Sequence, residues 1–180
     1  MGRGRWSLAA RTPHLETDRL TMTPIGPEVA AEMVDVLADP GLYTFIGGNP
    51  PALAELEARY LAWAAGPSTP GETWHNWVIR LGDEGQAIGH LQATVTDNGR
   101  VADIAWMIGT LWQRRGFASE AAQALVSWLE AAGTTSITAH VHPGHAASGR
   151  VAANAGLTMT AAIVDGEIVW RRTAEDLASD

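Results

Sequence analysis

The chain contains no cysteine and no lysine. Without cysteine it can form no disulfide, present no thiol nucleophile and build no zinc–thiolate centre. Without lysine it has neither a Schiff-base amine nor a lysine general base. Charge is sparse, at 18% of residues, and the net charge is −8. Beyond a mildly basic start at Arg3, Arg5 and Arg11, no basic block exceeds two residues. A nucleic-acid surface needs a positive patch, so a nucleic-acid partner is not expected. No long apolar run follows the first residues, and no signal peptide or spanning helix is read. No membrane partner is expected, and the expected location is the cytoplasm.

What is present is enough for one globular domain with its own core: 180 residues, 46% of them hydrophobic. Residues 1–13 read as a disordered lead, 14–173 as the domain and 174–180 as a tail. Eight tryptophans stand against two tyrosines and two phenylalanines. Trp74, Trp77, Trp106 and Trp112 are candidates to line an organic substrate pocket; core and surface filling is the competing reading at each position.

Hydrophobic periodicity gives a succession of short elements. Residues 15–24 read as a first strand. Residues 27–38 read as a helix, with Pro27 in its first turn and Asp39-Pro40-Gly41 as its stop. A second helix spans 52–65. Strands follow at 74–81, 86–96 and 101–108, the last two joined by an Asn98-Gly99 hairpin signal. The helix after them carries Ala118, Ala121, Ala122, Leu125 and Leu129 at helical spacing and stops at Gly133. A short strand (136–142), a short helix (146–155) and a hairpin about Asp165-Gly166 complete the chain. The order is β-α-α-β-β-β-α-β-α-β-β, an α+β fold.

Gln113-Arg114-Arg115-Gly116-Phe117-Ala118 joins the 101–108 strand to the long helix. A glycine-permissive turn entering a helix exposes unpaired backbone N–H groups where the helix dipole is positive. Two arginines add forked donors. The combination is a candidate pyrophosphate cradle.

The chain resembles the GNAT superfamily of acyl-CoA N-acetyltransferases. Gln113, Gly116 and Ala118 match the family's loop pattern Gln/Arg-x-x-Gly-x-Gly/Ala. The strand from Ala102 and Asp103 to Trp106 looks like the family's acidic-residue strand. His145-Ala146-Ala147-Ser148, then Asn154-Ala155-Gly156-Leu157, looks like a pattern of the branch that includes ribosomal-protein N-terminal acetyltransferases. That branch's usual opening, Leu-Glu-Thr-Asp-Arg-Leu, stands at residues 15–20. The chain departs from the pattern at His145, where the branch has Asn, at Trp106, where it has Tyr, and at Asp103, where it has Glu.

The resemblance implies a mixed, mostly antiparallel central sheet flanked by helices, and acetyl transfer from acetyl-CoA to an amine. It implies that the backbone of Arg115, Gly116, Phe117 and Ala118, with Arg114 and Ser119, holds the pyrophosphate. The main chains of Met107 and Ile108 would pair the pantetheine arm, with Gln113 and His145 also at the cofactor. Asp103 would be the base and Ser148 the acid for the thiolate. Glu72, Trp74, His75 and Trp106 would meet the acceptor. His75, His90, His140 and His142, together with Glu72, compete with Asp103 as base, since histidine lies near the required pKa. A first-turn helix serine is the competing reading of Ser148. No metal is expected, because His140 and His142 lack an evident third ligand.

Three functions follow: acetylation of a small-molecule primary amine, acetylation of a protein N-terminus, or non-catalytic acyl-CoA binding. A homodimer is an open expectation.

Overall fold

The computed structural model describes residues 11–82 and 85–173. Residues 1–10 of the expected lead, Asp83 and Glu84 between the expected strands 74–81 and 86–96, and the expected tail 174–180 lie outside the described residues. Within the expected lead, Thr12 and Pro13 are held against the sheet: Thr12 Oγ1 lies 3.2 Å from His75 Nδ1, and Trp77 Nε1 donates to the Pro13 carbonyl at 2.7 Å.

Among the described residues a single sheet has the order β1-β2-β3-β4-β5-β6-β8-β7. Its strands are β1 (Leu15–Glu16), β2 (Leu20–Pro24), β3 (Thr73–Leu81), β4 (Ala87–Thr96), β5 (Val101–Ile108), β6 (Ser136–Val141), β7 (Thr158–Val164) and β8 (Glu167–Thr173). All neighbours are antiparallel except β5 and β6. The helices are α1 (Ala30–Val36), α2 (Leu53–Ala65), α3 (Phe117–Ala132) and α4 (Ala146–Asn154). The α+β class and element order match the expectation, with one addition. The expected first strand is two strands, because Thr17 makes a turn: its N–H donates to the Leu20 carbonyl at 2.9 Å, and its hydroxyl accepts from the Leu20 N–H at 3.0 Å. The expected first helix likewise opens as a 3-10 turn at Pro27–Val29 before α1.

Strand parity sorts the core into two layers. Leu20, Met22, Trp77, Leu91, Ala102 and Ile104 pack under α3 and α4. Val78 and Ala87 pack under α1 and α2, with Met33, Leu56 and Tyr60. α3 buries Phe117, Ala121, Ala122, Leu125, Val126 and Leu129 along one stripe. Its four larger side chains contribute roughly 1.5–3 kcal/mol each. Gly133 ends the helix in the left-handed region, at φ 104°. Asp165 and Gly166, both at positive φ, close the β7–β8 hairpin as their sequence signal requires.

Candidate active site

The parallel ladder between β5 and β6 is short: Val101 faces Ser136, Ala102 faces Ile137 and Asp103 faces Thr138, and there it stops. Beyond Asp103, β5 stays bonded to β4 as far as Ile108, while β6 stays bonded to β8 as far as Val141. The two strands therefore part, and the Asp103–Thr138 pair stands at the vertex of the wedge between them.

Asp103 lies on the face away from α3. Its register row across the sheet is Trp74, Thr94, Asp103 and Thr138, and partners in register share a face. Thr138 Oγ1 donates to Asp103 Oδ1 at 2.9 Å, and His140 Nε2 lies 3.6 Å from the same oxygen. The Asp103 side chain is half-exposed, yet loss of solvent in the wedge pushes its carboxyl above the usual range. That effect outweighs the opposing Thr138 bond and His140 charge. Trp74 donates its indole N–H to Glu72, so these two expected acceptor residues act as a unit on this side.

His75 and Trp106, expected beside them, sit on the opposite face. Their rows are His75–Ala93–Ile104 and Trp77–Leu91–Trp106, which belong to the α3 layer. His75 is fully buried, with ring centroids 5.0 Å from Trp128 and 5.9 Å from Trp77. Burial drives its pKa down to about 4. The alternation rule separates Trp74 from His75, but only the packed sheet says which of them faces α3. His90 shares the Asp103 face, opposite Met107, and is buried beside Trp63.

The 113–119 loop has the backbone expected of an anion cradle. Arg114 and Gly116 both adopt left-handed conformations, at φ 61° and 83°. The first helical bond runs from the Glu120 N–H to the Gly116 carbonyl, which leaves the N–H groups of Phe117, Ala118 and Ser119 without helical acceptors. Gln113 serves the turn itself, donating Nε2 to the Ile108 carbonyl at 2.9 Å. Ser119 Oγ accepts from Asn154 Nδ2 at 3.0 Å, tying α3 to the end of α4.

At the far side of the wedge, His145 caps α4 by accepting the Ser148 N–H at 3.4 Å. Its ring stacks on Phe45, 4.5 Å between centroids, and Phe45 also lies 5.3 Å from His142. Phe45, Thr138 and the Thr17–Arg19–Glu120 contacts described below were not evident from sequence. Thr138 could have been found only by knowing that β6 pairs with β5 in parallel. Among the described residues, no group of three or more His, Asp or Glu side chains could hold a metal ion. No described helix is long and apolar enough to cross a membrane.

Residues 19–158 match the model of the acetyltransferase (GNAT) domain. The chain belongs to the GNAT acetyltransferase family. An acetyltransferase structure from Agrobacterium tumefaciens is similar at 28% identity, with 94% of this chain and 99% of that one covered and a TM-score of 0.71. The structure of AAC(6')-Ib in complex with paromomycin and acetyl-CoA is similar at 18% identity, covering 89% and 97%, with a TM-score of 0.73. A structure from Vibrio cholerae described as a ribosomal-protein-serine acetyltransferase gives 18% identity, 89% and 97% coverage and a TM-score of 0.71. No curated protein matches the chain.

Proposed function

We propose that this acetyltransferase moves the acetyl group of acetyl-CoA onto a primary amine of a small molecule. The observation that carries the reading is the wedge between β5 and β6, with the Asp103 carboxylate at its vertex, bonded by Thr138 and beside His140. The ammonium form of the acceptor gives up one proton, and Asp103 takes it directly or through water. The free amine then attacks the thioester carbonyl, whose developing negative charge is met by a main-chain N–H near Met107. The C–S bond breaks, and the second amine proton ends on the CoA sulfur with Ser148 as its hydrogen-bond partner. His140, beside Asp103, is the competing base.

Two features favour a small acceptor over a peptide. The net charge of −8 and the Glu72–Trp74 pair suit a compact cationic or aromatic amine. The names of the similar structures include both aminoglycoside and ribosomal-protein acetyltransferases, so both substrate classes belong in the test. Thiol release from acetyl-CoA is measured with a panel of small amines and a panel of peptides. Turnover of small amines well above that of peptides is expected. Turnover confined to peptide N-termini overturns the small-molecule reading, and CoA binding with no turnover at all favours a non-catalytic binding module.

A further inference from the structure

Arg19 reaches from the β1–β2 turn to a loop 96 residues away, where its Nη1 donates to the Arg115 carbonyl at 3.1 Å. In a trans peptide the C=O and the following N–H point in opposite directions. With the Arg115 carbonyl held by Arg19, the Gly116 N–H is turned away from Arg19. Arg114 needs such support, because a non-glycine residue in the left-handed region is strained.

Arg19 is itself held in place. Its Nε donates to Glu120 Oε2 at 2.6 Å, its Nη2 lies 2.5 Å from the same oxygen, and its backbone N–H donates to Glu120 Oε1 at 3.1 Å. Thr17 Oγ1 donates to Glu120 Oε1 at 2.6 Å. The guanidinium carbon lies 4.7 Å from the Phe117 ring centroid. Burial alone would raise the Glu120 carboxyl, but the Thr17 and Arg19 bonds more than offset it and hold it below its usual range. A carboxylate in the first turn of α3 suits the helix dipole, but by its charge alone it repels a phosphate anion bound at the same helix start.

We infer that Thr17, Arg19 and Glu120 form a latch that positions the cofactor loop: Glu120 aims Arg19, and Arg19 orients the Arg115–Gly116 peptide so that its N–H faces the pyrophosphate. The inference rests on the reading of residues 113–119 as the pyrophosphate cradle. All three are positioning residues, and the opening hexapeptide at 15–20 thereby gains a function at the far end of the chain.

CoA binding to the full chain is measured by calorimetry for wild type, Arg19→Lys, Glu120→Gln and Thr17→Ala. Lysine keeps the charge but lacks the fork that spans Glu120 and the carbonyl, so Arg19→Lys weakens CoA binding about tenfold. Glu120→Gln decides by its sign. The latch requires it to weaken CoA binding, by about fivefold or more, whereas simple removal of a negative charge beside the phosphates strengthens it. If Glu120→Gln fails to fold, Thr17→Ala takes its place, with a smaller loss expected. The second probe is inorganic pyrophosphate. The Gly116 amide signal shifts on its addition to wild type, and that shift is largely lost in Arg19→Lys, a response that general destabilisation does not produce. Wild-type affinity in Arg19→Lys, or tighter binding in Glu120→Gln, overturns the latch. A wild-type chain that binds neither CoA nor pyrophosphate overturns the cradle, and the latch with it.

Discussion

The two sides of the wedge are built differently. The proposed cofactor side is mainly one contiguous stretch, β5, a turn and α3, with His145 and Ser148 added from the start of α4, and its proposed contacts are mainly backbone N–H groups. The proposed acceptor side is assembled from side chains on β3, β5 and β6: Trp74, Asp103 and His140. A backbone site depends on dihedral angles and is broken by changing them. A side-chain site depends on which residues meet, and it can be retuned one residue at a time.

The largest effect is expected at Gly116. Its φ of 83° excludes a β-branched residue, and an added Cβ would stand 3.3 Å from Arg19 Nη2. Gly116→Val is expected to lose CoA binding in calorimetry, whereas Arg114→Ala or Arg115→Ala, which leave the backbone donors in place, weaken it less. Wild-type affinity in Gly116→Val would falsify the backbone account of the cofactor side.

Next comes Asp103→Asn, which keeps size and hydrogen bonding but removes basicity. Turnover is expected to fall roughly 10²–10⁴-fold with CoA affinity unchanged. Because the wedge raises the Asp103 carboxyl, activity rises with pH as that group ionises, and the mutant lacks this ascending limb. A mutant rate within a few-fold of wild type transfers the role of base to a histidine, with His140→Ala measured first.

A smaller change is expected at Phe45. Aromatic stacking contributes about 1 kcal/mol. Phe45 stacks on His145, which the family resemblance puts at the cofactor, so Phe45→Ala should weaken CoA binding a few-fold and leave the acceptor KM nearly unchanged. A raised acceptor KM with CoA affinity unchanged would mean that the Phe45 contact belongs to the acceptor side.

The last effect touches neither side of the wedge and concerns stability. Burial holds His75 neutral with a pKa of about 4, and burial with a lesser Arg59 contribution does the same to His90. Unfolded histidine titrates near 6.5. Between these values the unfolded chain binds protons that the folded chain refuses, so stability is full above about 6.5 and falls as pH drops toward 4, on the order of 1–3 kcal/mol per histidine. Urea midpoints measured from pH 7.5 to 5 check the slope, and His75→Gln should flatten it.

Most of this fold was legible because its elements are local. β5 is an apolar run bounded by turn signals, α3 carries its apolar stripe between two glycines, and Asp165-Gly166 favours a tight hairpin. The turn conformation of the candidate cofactor loop was legible for the same reason, since Gln113 to Ser119 are neighbours in the chain. The acceptor side was legible only in part. Trp74 and Asp103 share a face as expected, while His75 and Trp106 fall on the other.

By itself, then, the sequence determined where strands, turns and helices lie and where a helix start could receive an anion. These depend on dihedral preferences and periodicity over a few residues. Only the tertiary structure decided that β5 and β6 part after Asp103, that Thr138 and His140 meet that carboxylate, and that Arg19 grips a loop 96 residues away. Those contacts join residues far apart in the chain. They come from strand order and from the choice of buried face, which no local pattern encodes.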